Sequence, residues 1–206
     1  LIDAPALSTP NLTHQLTKVE GLLTIEELSK LSNDQKQSSV ILLQDAFTSF
    51  YEAPLVIHFV KLLQKLGFRV CVAPFRPNGK PLHIKGLLSW FDPLVRKNSE
   101  WLHTLATLGV PIVGIEPSMV LTYRDEYPKS LGVKQLPVEI LLPQEWLVQQ
   151  TDQLRSNQIL EPLRSYRLLG HCSEKTLALQ SQQQWQNVFK AFGLELKLEA
   201  TGCCGM

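Results

Sequence analysis

The chain has no excess of either charge: 20 Lys and Arg stand against 19 Asp and Glu, for a net of +1. There is no basic run and no interleaving of basic with aromatic residues, which make up only 8% of the sequence. The field and stacking surface of a nucleic-acid binder are therefore missing, as is a polycationic stretch that would seek anionic lipid. No segment approaches the roughly eighteen apolar residues of a membrane-spanning helix. The opening stretch, Leu1 to His14, has neither the charged flank nor the apolar centre of a secretory signal. The G-x-G-x-x-G and G-x-x-x-x-G-K-[ST] loops are absent too, which weakens a free-standing small-molecule-binding α/β reading. Together these absences lead us to expect a cytoplasmic protein, with room for a peripheral seat on the inner membrane, no transmembrane segment and no nucleic-acid partner.

What is present is 44% hydrophobic content over 206 residues, enough for one large domain or two small ones. The chain opens on Leu1 and stops at Met206, one residue after Cys-Cys-Gly, and is read as a piece of a longer polypeptide. An internal repeat organises it. Ala46 and Cys172 are 126 residues apart, as are Asn78 and Cys204, and no gap is needed between these points. The apolar face Phe59, Leu62, Leu63, Leu66 before Gly67 lands in the same register on Trp185, Val188, Phe189, Phe192 before Gly193.

Copy one reads as a strand (Val40 to Gln44), a helix (Pro54 to Leu66) and a strand (Arg69 to Ala73). Two helical stretches follow, about Ile84 to Phe91 and Ser99 to Leu108, then a strand (Pro111 to Ile115) and a helix near Met119 to Tyr127. Copy two repeats strand (Tyr166 to Gly170), helix (about Gln182 to Phe192) and strand (Leu194 to Glu199), and its second half is not in the sequence. The expected class is α/β: two tandem β-α-β, Rossmann-like repeats with parallel sheets, the second truncated. The expected organisation is a leader at 1–38 with a short helix opened by the capping box Thr24-x-x-Glu27. Repeat one follows at 39–143, a connecting helix at 144–164 and repeat two at 165–206. In the last strand Leu194, Leu196 and Leu198 alternate with charged residues, so one face should meet water.

Cysteine is scarce, and its placing carries the chemistry. Cys71 lies in the apolar run Val70 to Ala73 and reads as a buried hydrophobe. Cys203 and Cys204 are adjacent, so they make no ordinary loop-closing bridge with each other. With Cys172 about thirty residues before them, they follow the ends of two neighbouring parallel strands, where α/β proteins place sites. Soft thiolates converging from separate loops suit iron clusters. The same three residues also suit tetrahedral zinc, redox-active thiols or no ligand at all. His171 supports such a centre or caps the turn after its strand, as Asp45 would in copy one. The loop Arg76-Pro77-Asn78-Gly79-Lys80, with His83 and Lys85, holds an anion or is a solvated turn. Arg124 and its carboxylate neighbours read as solvated pairs.

The spacing of Cys172, Cys203-Cys204-Gly205 resembles the cysteine-rich CCG-domain family of heterodisulfide reductases and of glycolate and lactate oxidation subunits. The segments around Gln44 to Tyr51, Tyr123 to Tyr127 and Gly170 to Glu174 look closest to the C-terminal region of large bacterial FAD-linked oxidases. Those oxidases are similar to D-2-hydroxyglutarate and D-lactate dehydrogenases. The resemblance implies that Cys172, Cys203 and Cys204 ligate an iron-sulfur cluster in a full-length protein, with a further Cys-x-x-Cys beyond Met206. A fragment ending there should lack an intact cluster. It also implies FAD in a separate domain of that polypeptide, flavin and ferredoxin-like domains as partners, and a homo-oligomer as one assembly. Copy one departs from the pattern at Ala46, Pro77, Asn78, Glu116 and Met119 and is excluded as a cluster site. The implied function is an electron-transfer and assembly domain of an FAD-dependent 2-hydroxy-acid dehydrogenase. A structural or zinc-holding module is the alternative.

Overall fold

The structure, a computed structural model, describes residues 5–157, 165–200 and 202. The chain forms two compact units, Leu1–Ile140 and Leu141–Met206. In the first unit the leader carries three one-turn helices, α1 (Leu12–Leu16), α2 (Ile25–Ser29) and α3 (Asn33–Gln37). Thr24 and Glu27 form the expected capping box: the Glu27 N–H donates to the Thr24 hydroxyl (3.1 Å) and the Thr24 N–H to the Glu27 carboxylate (2.8 Å). The leader belongs to the fold. Leu12 and Leu28 are buried, and Leu23 bridges in parallel to Cys71 at the sheet edge.

Strand β1 (Ser39–Leu43) is buried along its whole length. Its run Val40-Ile41-Leu42-Leu43 is apolar on both faces, the signature of a central parallel strand. It is followed by α4 (Ala46–Phe50), α5 (Ala53–Lys65) and β2 (Arg69–Val72). Val56, Ile57, Val60 and Leu63 bury one stripe of α5, each such side chain contributing roughly 1.5–3 kcal/mol. Gly67, at φ +88°, lets the chain turn into β2. Next come α6 (Lys80–Ile84), α7 (Leu88–Ala106), β3 (Ile112–Gly114), α8 (Pro117–Arg124), α9 (Glu126–Leu131) and β4 (Ile140–Leu141). The sheet order is β2-β1-β3-β4, with β1 parallel to both β2 and β3.

Three details depart from the sequence reading. The helices expected at 84–91 and 99–108 are instead the short α6, ended by Gly86 at φ +69°, and one nineteen-residue α7. Pro93 does not break α7, because Phe91, Val95, Asn98, Leu102 and Leu105 form a single buried face across it. That burial outweighs the roughly 3 kcal/mol an internal proline costs. The helix expected near Met119 to Tyr127 is two, parted at Asp125, where the Pro128 ring would crowd the Arg124 carbonyl of a continuous helix.

The second unit contains α10 (Pro143–Leu147), a 3-10 turn, α11 (Thr151–Ser156), β5 (Ser165–Leu169), α12 (Cys172–Leu177), α13 (Ser181–Ala191) and β6 (Glu195–Glu199). The continuous helix expected from Gln144 is thus interrupted at Val148–Gln150. Strands β5 and β6 pair in parallel, and Trp146, Leu147, Leu154, Val188 and Leu196 form the core. The polar side of β6 faces outward as its alternation requires, while Leu198 on the apolar side remains partly open.

The repeat holds at the level of single residues. β1 and β5, the starts of α4 and α12, the ends of α5 and α13, and the starts of β2 and β6 are each 126 positions apart. Pairing register agrees as well: Ser39 faces Arg69 as Ser165 faces Glu195. Gly67 and Gly193 both adopt positive φ.

Candidate functional site

In copy one the loops meet at the carboxyl edge of the sheet. Asp45 follows β1 and caps α4. Its carboxylate accepts the Thr48 N–H (2.8 Å) and the Thr48 hydroxyl (2.5 Å). Burial pushes the Asp45 carboxyl above its usual range, and the negative charge of Glu116 adds to this while the Thr48 bonds oppose it. Glu116, after β3, caps α8 by accepting the Met119 N–H at 2.6 Å and the Ser118 hydroxyl at 2.7 Å.

Asn78, after β2, is buried; its amide donates to the Met119 carbonyl (3.3 Å) and reaches the Met119 sulfur (3.1 Å). Tyr127 donates its hydroxyl to the Asn78 carbonyl (2.8 Å) and accepts from the Asn98 amide (3.0 Å), which also donates to the Pro77 carbonyl (2.8 Å). Burial holds the Tyr123 and Tyr127 phenols protonated well above their usual range. A small void of about 10 Å³ lies beside Asp45, Glu116, Met119 and Tyr123. That is about the space of one probe-sized water.

Asn78 and Met119 stand where the cysteine pattern has ligands, and the fold brings them into contact. In copy one an amide and a thioether thus meet at two positions of the expected pattern. Three cations in and near the loop after β2 have partners within the chain. Lys80 pairs with Glu126, His83 lies 4.0 Å from the same carboxylate, and Arg76 stacks on Trp101 at 4.9 Å. Gly79, at φ +83°, completes the Asn-Gly turn. The loop Arg76 to Lys80 is thus a turn, with Asn78 and Gly79 buried in it rather than solvated. Arg124 is drawn to the Ile140 carbonyl, 2.8 Å from its Nε.

In copy two Cys172 is the first residue of α12 and is exposed. Register places Leu169 opposite Glu199, so Cys172 and Gly202 each lie three residues beyond paired strand ends. Cys203 and Cys204 lie outside the described residues. His171 caps α12: its Nδ1 accepts the Ser173 N–H (3.3 Å) and its own N–H donates to Glu174 (3.3 Å). It thus takes the capping role that Asp45 has in copy one. Cys71 is fully buried, and burial pushes its thiol up to about 11. Among the described residues no group of three His, Cys, Asp or Glu is placed to hold a metal.

Two features escaped the sequence reading. The Asn78–Met119–Tyr127–Asn98 network joins residues up to 49 positions apart, a separation no local pattern reveals. Glu174, by contrast, stands at the third position after His171, a capping spacing visible in the sequence.

No family model matches the chain, and no solved structure matches it. Among curated proteins, the D-2-hydroxyglutarate dehydrogenase of Pseudomonas putida is 44% identical over 207 residues. Those of Escherichia coli and Haemophilus influenzae are 40% identical over 208 and 217 residues. The chain is similar to D-2-hydroxyglutarate dehydrogenases. All of it aligns with these relatives, but it spans only about a fifth of their length, 20–21%. No helix among the described residues is long and apolar enough to cross a membrane.

Proposed function

We propose that this chain is the cysteine-bearing C-terminal part of an FAD-linked D-2-hydroxyglutarate dehydrogenase, of the CCG-domain type. In the full-length protein Cys172, Cys203 and Cys204 would be iron-sulfur ligands. The observation that carries the reading is similarity along 100% of the chain to dehydrogenases of that activity. The donor set fits. Cys172 offers an exposed thiol at a sheet edge, and in copy one Asn78, the counterpart of Cys204, lies in contact with Met119, which stands in the place of the expected Cys-x-x-Cys. A bound cluster would supply one-electron transfer. The chain's own contribution is to hold the Cys172 thiol at the end of β5 and to deliver the Cys203-Cys204 pair after β6. Copy one would serve assembly, because its edge is filled by side chains. Flavin and ferredoxin-like domains of the same polypeptide would be its partners.

The test is anaerobic purification of the full-length protein, with iron, sulfide and zinc analysis and visible absorbance, for wild type and Cys172→Ala. Iron and sulfide together with D-2-hydroxyglutarate oxidation in the wild type, and their loss or reduction in the variant, are expected. Zinc without sulfide would replace this reading by the structural one.

A further inference from the structure

The second unit buries a carboxylate at a position where copy one has Thr48. Glu174 is 7% exposed, and the two side chains it meets, Gln144 and Ser181, are 1% and 2% exposed. Its Oε1 accepts the Ser181 hydroxyl (2.5 Å) and the Gln144 amide (2.9 Å), and the same amide donates to the Ser181 oxygen (2.8 Å). Its Oε2 accepts the backbone N–H of His171 (3.3 Å). Three donors thus meet one acid, which is what makes a buried carboxylate tolerable.

Copy one builds the same strand, turn and helices without it. The residues 126 positions earlier are Thr48, which answers Asp45, and Leu55, which is exposed. In copy one the acid of this turn is instead the N-cap, Asp45, which is itself buried and bonds Thr48. In the copy that has a cysteine at the head of the turn the acid stands at the third helical position instead, and it fastens the residue immediately before that cysteine. Through Glu174 the His171–Cys172 turn is tied to α13 by Ser181 and to α10 by Gln144, two helices packed on each other.

We infer that Glu174 is a positioning residue for the Cys172 thiol, locking the turn from which that thiol reaches its metal or cluster. The inference rests on the proposed role of Cys172 as a ligand. Outer partners of this kind orient ligands, and their loss typically weakens metal binding by about 10–100-fold.

The experiment uses the full-length protein, purified anaerobically, as wild type, Cys172→Ala, Glu174→Ala, Glu174→Gln and Ser181→Ala. Iron content, the rate of iron loss to an excess of an iron(II) chelator, the electron paramagnetic resonance of the reduced protein and the melting temperature are compared. Cys172→Ala should abolish or strip the centre. Glu174→Ala should speed iron loss by about 10-fold or more and alter the resonance. Glu174→Gln keeps the volume and one acceptor, so it should recover the melting temperature but leave iron loss faster than wild type. Ser181→Ala should act in the same direction, by roughly threefold, a small share of the outer-partner range. If Glu174→Ala fails to fold, Glu174→Gln and Ser181→Ala decide by the same rate. Wild-type iron loss and resonance in the folded Glu174 and Ser181 variants, with Cys172→Ala still defective, would overturn the positioning role and leave the ligand reading intact. A wild-type protein without iron, or a Cys172→Ala protein indistinguishable from it, would remove the ligand reading, and the positioning role with it.

Discussion

The two copies share a backbone register and differ in what fills the carboxyl edge of their sheets. In copy one Asp45, Asn78, Glu116, Met119 and Tyr127 close that edge with hydrogen bonds beside a void of about 10 Å³. In copy two the equivalent of Ala46 is an exposed thiol, and Leu169 at the end of β5 is 71% exposed. The strands differ in the same sense. β1 lies between β2 and β3 and is wholly buried, whereas β5 pairs with β6 and is largely open among the described residues. One β-α-β frame can thus carry either a closed or an open edge, provided that the polar side chains that fill the closed one satisfy one another.

The largest effect should come from the glycine shared by both motifs, Gly79 in copy one and Gly205 in copy two. Gly79 has φ +83°, and a Cβ there would sit 2.9 Å from Leu94 and Phe91. Gly79→Ala should cost about 3 kcal/mol, from left-handed strain together with overpacking. Gly67→Ala should cost only about 1–2 kcal/mol, since φ is +88° but nothing lies within 4 Å. Urea titration of both variants checks the difference. Equal losses would mean that the closed edge of copy one is looser than its packing implies.

Alkaline stability contrasts the two described thiols. Cys71 is pushed from 9.0 to about 11 by burial. A raised folded value means that its contribution is intact below pH 9 and is lost as pH climbs toward 11. The unfolded chain releases that proton first, so stability should fall by roughly 2–3 kcal/mol over this window. Tyr123 and Tyr127, also raised, act in the same direction at higher pH. Cys71→Ala should flatten the slope between pH 9 and 11 in urea titrations. Peptide-resolved thiol labelling of the native protein should find Cys172 modified and Cys71 protected; prompt labelling of Cys71 would contradict its burial.

Tyr127→Phe removes a hydroxyl that serves both Asn78 and Asn98. A loss of about 1–3 kcal/mol is expected, because the two buried partners are left short of a bond. Hydrogen exchange around Asn78 should rise with it, and unchanged protection would show that the network does not hold the edge shut.

The repeat was legible because it rests on residues that backbone geometry dictates: glycines at positive φ, an apolar helix stripe and polar residues at strand ends. Those fix the 126-residue register in sequence and structure alike. What was not legible depends on tertiary burial. The single α7 in place of two helical stretches depends on a buried face that passes through Pro93. The contact of Asn78 with Met119 spans 41 positions and joins loops that follow two strands not adjacent in the sheet, with β1 between them. The place of Cys172 at the head of a helix was half visible: the strand end was expected, the helix α12 was not.

The smallest effects should come from the two residues that cap the turns, and they discriminate the roles of the copies most finely. Asp45 and His171 occupy equivalent positions and both accept from the helix that follows. Asp45→Ala should cost about 1 kcal/mol, the usual loss of a cap. His171→Asn replaces one acceptor by a preferred capping residue, so stability should stay within about 0.5 kcal/mol of wild type. If His171 only caps, iron content in the full-length His171→Asn protein should also be unchanged. A variant that folds with wild-type stability but loses iron would move His171 from the frame of the repeat to its chemistry. The equivalence with Asp45 would then describe the backbone alone.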